Sequence, residues 1–243
     1  MRFFLPAPLA THSDITLPEG VFHHLVKVLR SDVGTRFTIF NGEGGEYAAE
    51  LVEASKKTAR ARVLEFSAGD RESGLHTHLG QVMSRGERMD YAIQKATEMG
   101  VSVITPLSSE RCELKLRGEE RADKKLEHWR QIAISACEQC GRNRLPVINP
   151  PLPLQEWLAQ VDSASRWVLA PAVQGGPQVS SPAPASVALL IGPEGGLSEA
   201  EIAEAGRAGF LPWQLGPRVL RTETAPVAAL AVLQLLYGDY QAR

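Results

Sequence analysis

The chain has 243 residues, 22% of them charged and 44% hydrophobic, with a formal net charge of -2 at pH 7. Such a length holds one large domain or two modest ones. The charge excludes a uniformly basic nucleic-acid binder, so any RNA surface has to be a local patch, and no apolar run approaches the roughly 20 residues of a membrane-spanning helix.

The cysteines Cys112, Cys137 and Cys140 are odd in number and lack a repeating framework. That argues against a secreted disulfide scaffold and for a reducing compartment. Residues 1–10 superficially imitate a secretory signal, but Pro6 and Pro8 interrupt their short apolar run, so the expected location is the cytoplasm.

Residues 1–70 read as a separate β-rich unit. Val21, Phe22, Leu25, Val28 and Leu29 first share one face at helical spacing. Period-two alternation then places Phe37 and Ile39, next Tyr47, Ala49 and Leu51, and last Ala59, Ala61 and Val63 on inward faces. The glycine-rich turn at 41–45 separates the first two strands as a hairpin would, and a small antiparallel barrel results. Lys56, Lys57, Arg60 and Arg62 gather around the third strand, where they suit RNA phosphates or a solvated strand face.

Gly69 to Gly74 is polar, aperiodic and reads as the linker, after which strands alternate with helices over 75–243. That alternation predicts a mostly parallel α/β sheet. A strand over 79–83 leads to a helix over 87–99 that Gly100 ends, and the next strand is 101–107. Arg111 lies just past that strand's carboxyl end, where open α/β sheets place their sites, and could meet a phosphate or a neighbouring carboxylate. A long helix over 119–140 ends in Glu138, Gln139 and Cys140, then Arg142 and Arg144. Polar side chains able to read bases beside arginines able to grip phosphate make an RNA contact, although helix-end pairing would explain the arginines too. Cys137 and Cys140 have the spacing of a metal half-site but no second pair, so no metal is expected.

After a short helix over 154–161, strands at 167–170, 187–191 and 213–215 each end in a loop. The loop at 192–196 is Gly-Pro-Glu-Gly-Gly, and Ser198 with Glu201 three residues later forms a capping box for the helix that follows. Glycine lets a ligand approach the main chain closely. Phosphate is the usual tenant of such a loop, but Glu194 would repel it and a P-loop lysine is absent, so a neutral or cationic ligand fits better. The second loop, 215–225, carries Gly216-Pro217 and then Thr222 or Thr224 as caps for a last helix that is apolar on nearly every side.

Gly-Pro-Glu-Gly-Gly at 192–196 followed by Leu-Gly-Pro-Arg-Val-Leu-Arg-Thr-Glu-Thr-Ala at 215–225 resembles the ribosomal RNA small subunit methyltransferase E family of the SPOUT superfamily. The blocks at 81–87, 94–100, 105–111 and 136–146 resemble it too, so the likeness spans essentially the whole chain. The resemblance implies an α/β fold: a C-terminal SPOUT-type, trefoil-knotted, parallel-sheet methyltransferase domain with an N-terminal PUA-like β-barrel that binds RNA. It implies S-adenosylmethionine wrapped by three loops, with Leu169, Ala170 and Pro171 from the first. Ile191, Gly192, Pro193, Gly195 and Gly196 come from the second, and Leu215, Gly216, Val219, Leu220, Thr222, Thr224 and Ala225 from the third. It further implies methylation of uridine N3 in 16S rRNA or the small ribosomal subunit, and, with the apolar surface of the last helix, a homodimer formed through that helix, for which simple core burial is the plain alternative.

Methyl transfer is an in-line displacement, so catalysis is mainly positioning. The N3 proton must also leave, for which Arg221 would offset charge on a uracil oxygen while Glu223 or Glu194 accepts the proton. Both carboxylates have a capping role as the plain alternative. Two rival readings remain: a noncatalytic RNA-binding assembly protein of the same fold, and a nucleotide-phosphate enzyme using the glycine loops.

Overall fold

The computed structural model describes residues 1–69, 71–114, 118–170, 175–179 and 181–240. Within them the chain runs β1 (Arg2–Phe4), β2 (Asp14–Thr16), α1 (Glu19–Phe22) continuing as a π-helical segment over His23–Val28, β3 (Arg36–Phe40), β4 (Glu46–Ala54) and β5 (Ala59–Ser67). Then come β6 (His76–Val82), α2 (Glu87–Glu98), β7 (Val103–Ser108), α3 (Glu119–Cys140), β8 (Val147–Ile148), β9 (Leu152–Pro153) and α4 (Leu154–Gln160). The chain closes with β10 (Ser165–Leu169), β11 (Ser186–Ile191), α5 (Glu199–Arg207), β12 (Leu211–Trp213) and α6 (Thr224–Tyr237). It divides into two compact units, Met1–Glu72 with Cys137–Leu145, and Ser73–Ala136 with Pro146–Arg243.

The first unit is built on a five-stranded sheet in the order β1-β3-β4-β5-β2. β3, β4 and β5 pair antiparallel, as the alternation of their side chains dictates. Phe37, Ile39, Ala49, Leu51, Ala61 and Val63 bury one face against Leu25 of the π-helical segment. β1 adds parallel to β3 and β2 antiparallel to β5, two three-residue edge strands that the sequence pattern leaves unmarked.

Residues 137–145, read from sequence as the end of a helix in the second unit and the segment beyond it, cluster with this first unit. Arg2 explains part of the reason: its guanidinium donates to Cys137 O at 2.6 Å, Arg142 O at 2.7 Å and Asn143 Oδ1, and lies 3.9 Å from the Phe40 ring centre. A cation so enclosed is stable because carbonyl oxygens replace its water. Cys137 is buried, and burial pushes its thiol up to about 12, so it stays protonated and inert. Among the described residues no three His, Cys, Asp or Glu side chains group to hold a metal ion, and no helix is long and apolar enough to cross a membrane.

The second unit carries a seven-stranded sheet in the order β12-β10-β11-β6-β7-β8, with β9 also on β7. Its pairings run parallel. β11 reads Ser-Val-Ala-Leu-Leu-Ile because a central parallel strand is covered on both faces and needs an unbroken apolar run. α2 buries Met89, Ala92, Ile93 and Ala96 at helical spacing, and Gly100 follows its end at φ +80, a conformation glycine adopts without strain.

One expectation shifts: the last strand is 211–213 rather than 213–215, at the sheet edge, where Pro212 removes no interior hydrogen bond. α6 turns Ala225, Ala229, Leu230 and Leu233 to the core, while Leu235 is 56% exposed. Its one fully buried polar side chain, Gln234, is satisfied, accepting from Ser73 Oγ at 2.6 Å and donating to Met99 O at 3.0 Å. Because the strands are parallel, the loops after β6, β7, β10, β11 and β12 all leave one edge of the sheet.

Candidate active site

At that carboxyl edge the second unit holds a half-open cavity of about 550 Å³. Leu169 and Ala170 line it from the end of β10, and Ile191, Gly192, Pro193, Glu194, Gly195 and Gly196 from β11 and its loop. Leu215, Gly216, Val219, Leu220, Arg221, Thr222 and Ala225 line it from the loop after β12 and the start of α6. The residues read from sequence are thus brought together from segments far apart in the chain. Leu197, Ile202, Trp213 and Arg218 also line it and were not foreseen, although Arg218 stands inside the second motif. Pro171 lies outside the described residues. Thr224 and Glu223 are not among the lining residues.

The first loop is closed by its own chemistry. Gly192 packs so tightly that a Cβ there would meet Leu197 Cγ and N at 3.0 Å, which leaves room for glycine and little else. Pro193 O accepts from Gly196 N–H at 2.9 Å, completing a turn. The expected capping box then forms: Ser198 Oγ accepts from Glu201 N–H at 3.3 Å and Glu201 Oε2 accepts from Ser198 N–H at 2.8 Å. Glu201 Oε1 additionally accepts from Glu110 N–H at 2.8 Å, so the cap also holds the loop after β7. From that loop Arg111 Nη1 donates to Gly195 O at 3.0 Å; the arginine read as an RNA contact or a partner for a carboxylate grips a backbone carbonyl.

Thr222 joins the two glycine loops, donating to Gly192 O at 2.8 Å and accepting from Gln81 Nε2 at 3.2 Å. Neither Thr222 nor Thr224 caps α6; Glu223 occupies the cap position in helical conformation and makes no capping bond. The second loop is more open. Gly216 takes φ +73, which frees the chain to turn there, and Val219 is 81% exposed.

The two acidic candidates differ. Glu194 accepts from Arg88 Nη1 at 2.7 Å. Burial opposes its charge, but hydrogen bonds from its own backbone, Arg88 and the Arg85 backbone outweigh that and hold the carboxyl below its usual range. With Arg88 beside it, the loop is less hostile to anions than its sequence suggests. Glu223 Oε2 is buried with no hydrogen-bond partner among the described residues. Arg221 is exposed at the cavity wall.

The arginines and lysines read as RNA contacts separate into two kinds. Lys56 and Lys57 stand exposed on the β4–β5 turn, and Arg144 is exposed beside Gly44. Arg62 donates to Asp14 Oδ1 at 2.9 Å and Arg60 to Asp14 Oδ2 at 3.2 Å, so much of their charge is already balanced. Arg142 is a correction: it is 6% exposed and clamps Glu72 at 2.6 Å, a partner that leaves it no access to a phosphate. Glu138 likewise accepts from Phe4 N–H at 2.9 Å instead of facing a base.

With this geometry in hand, comparison with known proteins identifies relatives. A family model described as an RNA methyltransferase domain matches residues 71–234, and one described as an RNA methyltransferase PUA domain matches residues 17–64. Ribosomal RNA small subunit methyltransferase E of Buchnera aphidicola (subspecies Schizaphis graminum) is 37% identical over 239 residues, 98% of this chain and 97% of that one. The structure of ribosomal RNA small subunit methyltransferase E from Neisseria gonorrhoeae, bound to S-adenosylmethionine, is similar at TM-score 0.90 and 39% identity over 99% of both chains. A Legionella pneumophila protein described as a methyltransferase, in complex with bound cofactor S-adenosylmethionine, gives TM-score 0.93 and 41% identity over 98% of both chains.

Proposed function

The chain belongs to the ribosomal RNA small subunit methyltransferase E family, and from that premise we propose that it methylates N3 of a uridine in 16S rRNA during small-subunit maturation. The observation that carries this reading is the cavity of about 550 Å³ walled by both glycine loops, in a chain matched end to end by structures that hold S-adenosylmethionine. The fit is physical. Main-chain groups of 192–196 and 216–220 offer donors and acceptors for a purine edge, and Leu169, Ile191, Leu215 and Leu220 supply apolar walls. When bound, S-adenosylmethionine supplies an electrophilic methyl carbon on a sulfonium.

The protein's own groups then have two tasks. Main-chain atoms of the loops orient the donor so that the methyl carbon faces the uracil nitrogen, which converts an encounter into a near-attack geometry. Meanwhile the N3 proton has to be taken by a base. Glu223 is favoured over Glu194 because it keeps a buried oxygen without a partner among the described residues while Glu194 is held by Arg88. As Glu223 stands next to the lining residue Thr222 and not in the wall itself, it would take the proton through water. Arg221, at the cavity wall, would balance negative charge growing on a uracil oxygen. N3 lies on the pairing edge, so the target nucleotide has to be unpaired or flipped out.

The same reading includes a cytoplasmic homodimer formed through α6, whose outward Leu235 is left uncovered, and a trefoil-knotted course for the loops at 192–196 and 215–225. Light scattering that gives a monomer at micromolar concentration would remove the dimer. The function is tested by mass spectrometry of 16S rRNA from cells with and without the protein. Loss of 3-methyluridine from the second sample is expected, and its persistence would refute the assignment. Parallel calorimetry with S-adenosylhomocysteine and ATP separates the rivals: binding of the first alone fits the methyltransferase, binding of ATP alone the nucleotide enzyme, and binding of neither the noncatalytic protein.

A further inference from the structure

Arg88 belongs to neither glycine loop, yet from the first turn of α2 its Nη1 donates to Glu194 Oε1 at 2.7 Å. We propose that Arg88 is a positioning residue for methyl transfer, a latch that holds the Glu194 carboxylate and with it the loop at 192–196 in the shape that walls the cavity. The inference rests on the methyltransferase reading above and adds to it a residue outside the glycine loops.

Three of the five residues in that loop are glycine, and glycine leaves the backbone many conformations that do not wall a cavity. Two of its carbonyls are tied to other segments, Gly192 O to Thr222 and Gly195 O to Arg111. Glu194 stands between them, and its side chain is the loop's connection to α2. The Arg88 and Glu194 side chains are 42% and 28% exposed, so solvent screens the pair and it adds little to folding. What the pair fixes is direction. A planar guanidinium bonded to a carboxylate sets where that carboxylate points, and the backbone carrying it follows.

The surroundings reinforce the arrangement. Besides Glu194, Arg88 is attracted by Glu223 and Glu113, so one cation serves three acids around the loop. Arg85 joins from the segment before α2, its backbone bonding Glu194 and its guanidinium meeting Glu113 Oε2 at 3.2 Å. From the end of β7, Arg111 bonds Gly195 O, and Cys112, with its thiol raised by burial, lies within the field of the Glu194 and Glu113 carboxylates. Without Arg88 the Glu194 carboxyl loses a bond that favours its charged form, and it binds a proton at higher pH than before.

The experiment uses the full chain with Arg88→Gln, Arg88→Lys, Glu194→Gln and the double variant Arg88→Gln/Glu194→Gln. S-adenosylhomocysteine affinity is measured by calorimetry across pH, backbone hydrogen exchange at 192–196 by mass spectrometry, and the thermal midpoint by scanning. Arg88→Gln should weaken affinity about tenfold and raise loop exchange, while the midpoint moves no more than about two degrees. It should also move the acid-side loss of affinity to higher pH. Arg88→Lys should recover most of the affinity, and the double variant should match Glu194→Gln, since a latch and its catch fail as one unit.

Wild-type affinity and loop exchange in Arg88→Gln would overturn the latch. So would losses in the double variant that equal the sum of the single ones. If the unaltered protein itself ignores S-adenosylhomocysteine, the methyltransferase reading falls, whereas loop exchange still decides whether Arg88 holds the loop.

Discussion

The two loops each open on a Gly-Pro step, Gly192-Pro193 and Gly216-Pro217, and differ in how they are held. The loop at 192–196 is fastened from outside itself, by Arg88 from α2, Arg111 from the end of β7 and Thr222 from the other loop. The loop at 215–222 has its ties near its ends: Gln214 N–H donates to Gly175 O at 3.0 Å, and Thr222 is buried at the far side. Between those ends Arg218, Val219 and Arg221 face solvent. Glycine therefore plays opposite parts in the two, allowing close packing in the first and a turn in the second. The pairing resembles a fixed wall and a flap, a division suited to a site that must admit one ligand and then exclude water.

The largest expected effect breaks the chemistry without touching either loop's shape. Glu223→Gln keeps the size of the side chain but cannot accept a proton at neutral pH. Single-turnover methyl transfer should fall roughly a hundredfold, the scale of a lost general base, with S-adenosylhomocysteine affinity unchanged. Full turnover would remove Glu223 from that role and return attention to Glu194.

A middle-sized effect belongs to the one residue common to both loops. Thr222→Val deletes the hydroxyl that donates to Gly192 O and accepts from Gln81, so the half-buried Gly192 O loses that donor and Gln81 Nε2 keeps its bond to Val82 O alone. The cost should be about 1–3 kcal/mol in folding stability, read from chemical denaturation. Affinity should fall with it, because the same bond aligns the two walls. A stability change near zero would mean that the loops are held independently.

How far the sequence alone foretold this depends on whether the information was local. The capping box at Ser198 and Glu201 needs residues three apart, and it forms as read. Strand and helix periodicity located α2, α3, β6, β7 and β11 for the same reason. The residues lining the cavity were legible through recognisable motifs, while Leu197, Ile202 and Trp213 were not, because they line it by packing rather than by a pattern. Partnerships across the chain were hidden altogether. Asp14 is 48 residues from Arg62, Glu72 is 70 from Arg142 and Glu194 is 106 from Arg88, so nothing near each arginine tells which one is already paired. A charge count could not separate cations used inside the protein from those left for RNA. Short edge strands such as β1 were invisible too, since three residues carry no period.

The smallest effect concerns the flap. Val219 lines the cavity yet is 81% exposed, an apolar side chain in water with little to lose on substitution. Val219→Ser should therefore change folding stability by no more than about 0.5 kcal/mol, as for surface positions in general. If the flap closes over the bound cosubstrate, however, the same methyl groups become buried in the complex. Affinity for S-adenosylhomocysteine should then fall roughly three- to tenfold, the worth of about one to two buried methyl groups. The comparison of the loops predicts this dissociation of stability from affinity at Val219 and their joint loss at Thr222. An affinity equal to wild type in Val219→Ser would mean that the second loop stays open around its ligand, and both loops would then be fixed walls.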